Sequence, residues 1–175
     1  MYHMITVISG TNRSNSNSLK VSKTCLEILL AMNIKAQMFS LENLPKGFLN
    51  PNMFEQKAPG FDELVYKNIH AADRLLFVVP EYHGSFPGAL KVFMDALSSK
   101  DVADKKAMII GVASGHAGGL RPLSHFTDVL HHLRVEVFSR KPKLSHVEKI
   151  LGKNGVIDEE VFSNLKSQIQ HFMRF

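Results

Sequence analysis

Three loop-like segments hold most of the residues in this chain that could do chemistry, and each directly follows a short apolar run. The first is Gly10-Thr11-Asn12-Arg13-Ser14-Asn15-Ser16-Asn17-Ser18, the second Pro80-Glu81-Tyr82-His83-Gly84-Ser85-Phe86-Pro87-Gly88, the third Ser114-Gly115-His116-Ala117-Gly118-Gly119. The first combines hydroxyls, amides and one Arg at the start of a helical pattern. Free backbone N–H groups, side-chain hydroxyls and the helix dipole would together suit a phosphate dianion there. The same Ser and Asn residues also serve as ordinary N-caps, so this loop reads as an anion site or as a cap. It is neither a Walker loop, for want of Gly-Lys-Ser/Thr, nor a GxGxxG dinucleotide fingerprint. In the second loop Gly84 permits close backbone approach to a flat ligand and Tyr82 offers a stacking face. The glycines of the third loop allow similar closeness, although Gly and Pro between a strand and a helix are also ordinary turn residues.

These loops need elements to position them. Five runs of strand length occur, at Ile5 to Ser9, Lys35 to Phe39, Leu75 to Val79, Ala107 to Ala113 and Val135 to Phe138. The runs around Val7, Phe77 and Ile109 are nearly continuous in apolar character, as expected of central parallel strands covered on both faces. Helical spacing follows between them: Phe61, Leu64, Val65 and Ile69; Leu90, Phe93, Met94 and Leu97; Val161, Phe162, Leu165, Ile169 and Phe172. Pro59 and Pro87 fit first helical turns, and Asp158-Glu159-Glu160 places acids where a helix dipole favours them. Strand then helix, repeated, predicts a three-layer, doubly wound α/β fold with a five-stranded parallel sheet. In order 2-1-3-4-5 the three loops converge at the switch between strands one and three, where such sheets bind ligands. The stretch from Asn43 to Lys57 reads as a long loop of the kind used as a lid, an interface arm or a mobile segment. In the helix from Ala89 to Leu97 only Lys91 and Asp95 are polar, so a partner subunit or a neighbouring helix must hide part of it.

Length and composition bound the function. At 175 residues, the chain is expected to form a single domain over residues 1–175. Hydrophobic residues at 45% and charged residues at 21% describe a globular chain, with no apolar run of bilayer length. A net charge of +5 suits anionic ligands. The basic residues are scattered, however, and Arg140-Lys141-Pro142-Lys143 is short and lacks interleaved aromatics, which disfavours nucleic acid. Cys25 stands alone, so no internal disulfide forms and a buried, inert thiol is expected. With no charged lead across Met1-Tyr2-His3, the expected setting is cytoplasmic. His125, Asp128 and His132 have helical spacing, but no ligand from another element joins them and no metal is expected.

Taken together, the loops resemble the NADPH-dependent FMN reductase family, a branch of the flavodoxin-like superfamily that includes quinone, azo and chromate reductases. Pro80 to Lys91 resembles its Pro-Glu-Tyr-Asn-Gly-Ser-aromatic-Pro-Gly signature. Arg13, Ser16 and Ser18 match its phosphate loop, and Ser114 with Gly118-Gly119 matches its third flavin-side loop. The resemblance spans residues 4 to about 138. His83 stands where the family usually carries Asn, and Ser18 where Asn is frequent. The resemblance implies that Thr11, Arg13, Ser16 and Ser18, with Asn17 between them, hold an FMN phosphate. It further implies that Pro80, Glu81, Tyr82, His83, Gly84 and Ser85 run along the isoalloxazine, while Ser114, Gly118 and Gly119 close the other side. FMN and NADPH or NADH would be the cofactors, a quinone or similar small molecule the acceptor, and a homodimer or homotetramer the assembly. Flavin chemistry needs positioning more than protein acids, so no catalytic side chain is assigned. The competing readings are an FMN-retaining quinone, azo or chromate reductase and a flavodoxin-type electron carrier. Carriers of that class resemble strongly acidic proteins, unlike this basic chain without Trp.

Overall fold

The computed structural model describes residues 4–152 and 155–175. The leader reading at Met1 to His3 lies outside the described residues. The sheet is built from β1 (Ile5–Ser9), β2 (Ala36–Ser40), β3 (Arg74–Pro80), β4 (Lys106–Val112), β5 (Glu136–Val137) and β6 (Lys143–Leu144). All pairs are parallel, in the order β2-β1-β3-β4-β5, with β6 also pairing β4. The expected order 2-1-3-4-5 is therefore what the chain adopts. Every residue of β1 and β3 is buried, which explains why their sequences run apolar without alternation.

The fifth position departs from the expected single strand. β5 pairs Lys106 and Ala107, β6 pairs Gly111 and Val112, and Ser139 to Pro142 bulge between them. Pro142 has no N–H to give to a ladder, and only its carbonyl joins, accepting from Gly111 N at 2.9 Å.

Period-two alternation divides the strands between two cores. Ile8, Phe77, Val79 and Ile109 face one side, with Phe61, Phe93 and Phe126. Val7, Leu76, Val78, Met108 and Ile110 face the other, with Ile28, Leu165 and Phe172. The first side carries α2 (Phe61–Val65), α3 (Gly88–Ala96) and α5 (Leu120–His132), and the second α1 (Asn17–Ala31) and α7 (Glu159–Arg174), while α4 (Ser99–Val102) and α6 (Val147–Ile150) are single turns. α2 runs on into a π-helical turn at Tyr66–His70.

Both prolines stand just ahead of the first turns and not inside them. Pro87 is itself the N-cap of α3, and Gly60, at φ +80°, caps α2 after Pro59. A left-handed residue must intervene before α2 can begin, and glycine adopts that backbone without steric cost. The Asn43 to Lys57 stretch packs as a strap. Phe48 stacks on Phe61 with centroids 5.1 Å apart, Met53 is buried, and Lys57 Nζ donates to Ala96 O at 2.6 Å. Phe93, Met94, Ala96 and Leu97 of the α3 region share this cluster, so much of that helix is covered from within the chain.

Candidate active site

The carboxyl ends of β1, β3 and β4 open on a cleft of about 350 Å³, lined by residues 13–18, 80–82, 112–114 and 147–148. The three loops singled out in sequence meet there. On its floor α1 begins at Asn17 behind the N-cap Ser16, whose Oγ accepts from Leu19 N at 3.1 Å and hydrogen-bonds with Ser18 Oγ at 3.0 Å. The first-turn amides of Asn17 and Ser18 find no acceptor among the described residues. Ser16 therefore caps the helix, while the two amides beside it keep the unsatisfied character of a helix start. Arg13 is exposed above them. Thr11 is fully buried and does not line the cleft; its Oγ1 accepts from Arg13 N at 3.2 Å and hydrogen-bonds with Tyr82 OH at 3.1 Å, tying the first loop to the second. At Gly10 a Cβ would meet Val78 O at 2.9 Å, so the missing side chain lets the chain leave β1 hard against β3.

The second loop is a two-residue turn. Tyr82 N donates to Ser85 O at 2.8 Å and Ser85 N to Tyr82 O at 3.1 Å, with His83 at φ +50° and Gly84 at φ +78°. Positive φ at both central residues is the mark of a type I′ turn, whose favoured pair is Asn-Gly. His shares Asn's tolerance of the left-handed region, so His83 meets the backbone demand of the family's Asn while its own side chain is exposed. His83, Gly84 and Ser85 form a rim beyond the cleft lining. Ser85 Oγ hydrogen-bonds with His125 Nδ1 at 2.9 Å, and Glu81 Oε1 lies 3.6 Å from Arg121 Nη1. Among the described residues no three His, Cys, Asp or Glu side chains are grouped to hold a metal.

In the third loop Ser114 lines the cleft, but Gly118 and Gly119 sit behind its wall. A Cβ on Gly118 would meet Lys143 Cβ at 2.7 Å, and one on Gly119 would meet Gly111 Cα at 3.2 Å. With φ of +59° and +82° they turn the chain into α5 while packing it onto β4 and β6.

Val147 and Glu148 also line the cleft, outside the three loops that the sequence marks. Glu148 Oε1 accepts from Ser114 Oγ at 2.6 Å and from Asn17 Nδ2 at 3.4 Å. The Ser114 hydroxyl, then its own backbone amide and nearby His146, hold its carboxyl below the usual range. The available sequence signal was slight, a return to apolar residues at Leu144 and Val147.

Free amides, two serine hydroxyls and one Arg at a helix start form a donor set that fits a phosphate ester. The sequence model of the NADPH-dependent FMN reductase family matches residues 4–148. The chain belongs to this family. Membership carries the class of activity, an oxidoreductase working with FMN and NAD(P)H. An FMN-dependent NADPH-azoreductase of Staphylococcus aureus is 29% identical to this family member over 133 residues, covering 73% of this chain and 69% of that protein. A flavoenzyme NAD(P)H:(acceptor) oxidoreductase from Paracoccus denitrificans superposes with a TM-score of 0.78 at 20% identity, over 97% of this chain and 94% of the other. Flavodoxin 2 from Bacillus cereus superposes at 0.65 with 15% identity over 98% of both chains. These two structures establish the flavodoxin-like fold.

Proposed function

We propose that this FMN reductase family member binds FMN in the described cleft and uses NAD(P)H to reduce a small acceptor such as a quinone. The observation that carries the reading is the pair of free amides at Asn17 and Ser18, opening on the same cleft as Pro80–Tyr82 and Ser114. Arg13, Ser16, Asn17 and Ser18 would hold the phosphate, with Thr11 fixing the loop from below. Pro80, Glu81 and Tyr82 would flank the ring, with the His83–Ser85 turn at its rim. Ser114 would face it from the third loop, with Gly118 and Gly119 setting that loop's position. Bound there, FMN would supply hydride-transfer chemistry between NAD(P)H and the acceptor. The residues of the chain orient the ring, neutralise the phosphate and leave one side open to substrates.

The Staphylococcus aureus relative supports an azo compound as a second acceptor class. The exposed Leu49 and Phe54 of the strap, with Tyr66 near the end of α2, support a homodimer or homotetramer. The direct test is FMN titration followed by NADPH and NADH oxidation in air, with a quinone and with an azo dye. Turnover with FMN supports the proposal; a protein that binds FMN but oxidises neither nicotinamide is a carrier and sinks it.

A further inference from the structure

Glu148 is the charged residue of the cleft lining that the proposed function leaves unused. It belongs to α6, yet its carboxylate reaches Ser114 of the third loop at 2.6 Å and Asn17 of the first loop at 3.4 Å. One acceptor thus engages a donor from each of two cofactor loops. The other acid lining the cleft, Glu81, lies 3.6 Å from Arg121. Glu148 has no Lys or Arg within ion-pair distance among the described residues, and the first turn of α1 carries no acid of its own. No salt bridge among the described residues neutralises its charge, which only hydrogen-bond donors and nearby His146 offset, and it stands beside the helix start where the proposed phosphate would sit. The side chain is exposed, so its role is not explained by the packing of the core.

We propose that Glu148 competes with the cofactor phosphate for the donors of this cleft and repels it, making FMN a readily exchanged ligand and narrowing the preference for FMN over riboflavin. The inference rests on the proposed function. Before a phosphate can use the Asn17 side chain as well as its backbone amide, the hydrogen bond from that side chain to Glu148 must open, and the two anions then share one helix terminus. Riboflavin has the same ring and ribityl chain without the charge, so Glu148 opposes it far less.

Glu148→Gln removes the charge, keeps the shape and can still accept from Ser114, which protects the fold. Quenching of flavin fluorescence, titrated with FMN and separately with riboflavin, reads the effect on both proteins. FMN is expected to bind the variant roughly three- to tenfold more tightly, to dissociate correspondingly more slowly in stopped flow, and to lose this gain in high salt. Riboflavin affinity should change by less than about twofold. Unchanged FMN affinity overturns the proposal, as does equal weakening of both flavins, which would make Glu148 a contact to the ribityl hydroxyls. A wild-type protein that binds neither flavin overturns the proposed function and this inference with it. Wild-type binding without a variant difference overturns this inference alone.

Discussion

Arg13 is the only cation in the first loop, and its worth should show in a comparison of two ligands. Hydrogen bonds to charged groups contribute about 1.5–3 kcal/mol, so Arg13→Ala should weaken FMN by about one to two powers of ten and riboflavin little. Fluorescence titration checks this, with a circular dichroism melt to show that the variant still folds. Equal loss of both flavins would mean that Arg13 shapes the loop and the phosphate lies elsewhere. His83 should be judged by backbone. At φ +50°, His83→Asn should leave stability near wild type, whereas the β-branched His83→Val should cost about 1–2 kcal/mol in urea unfolding. Burial pushes the Cys25 thiol up to about 12, so it stays protonated at neutral pH. A disulfide reagent such as DTNB should label it only after denaturation; fast labelling of the native protein would contradict that environment. The first loop stands out in sequence because its polar donors are consecutive and adjoin a helix start. Glu148 could not, since it comes 131 residues after its partner Asn17 and no spacing rule links them.

At the scale of elements, β1, β3 and β4 were legible for a plain physical reason: helices cover both faces, so most of their residues are apolar on either side of the sheet. The pattern predicts a fifth strand only from Val135 to Phe138, whereas the structure resumes the ladder at Lys143 and Leu144. A two-residue strand buries too little to leave a pattern, and only the carbonyl of Pro142 marks where the ladder resumes. Pro87 stands one position and Pro59 two positions ahead of the first turn that the sequence suggests for them, because proline suits both that turn and the extended lead before it. The strap was legible as irregular but not as packed, since Phe48 and Met53 find their burial only in a cluster shared with the distant α2 and α3. Ser16 links element and site. Ser16→Ala removes the cap on Leu19 N and the bond to Ser18, and should cost about 1 kcal/mol in thermal or urea unfolding. It should also weaken FMN more than riboflavin if, as proposed, the lost hydroxyl faces the phosphate.

For the whole molecule, the covering of α3 by Phe48, Met53 and Phe61 moves the question of assembly outward to the strap itself. Leu49 and Phe54 are 72% and 65% exposed, and Tyr66 is 71% exposed. If copies associate through them, light scattering should give a dimer or tetramer at micromolar concentration, and Leu49→Glu with Phe54→Glu should yield a folded monomer. A wild-type monomer under those conditions would count against the assembly. No helix among the described residues is long and apolar enough to cross a membrane. The break in the fifth strand also bears on how the protein behaves when crowded. An outer strand with a long row of unpaired amides invites another chain to extend the sheet. Here that border is cut into two-residue pieces separated by Ser139-Arg140-Lys141-Pro142, so a neighbouring chain meets a bulge, positive charge and an imino nitrogen in place of a template. Lys141→Val combined with Pro142→Val would restore a flatter, stickier margin, and turbidity on concentration or slow heating should rise well before any loss of flavin binding.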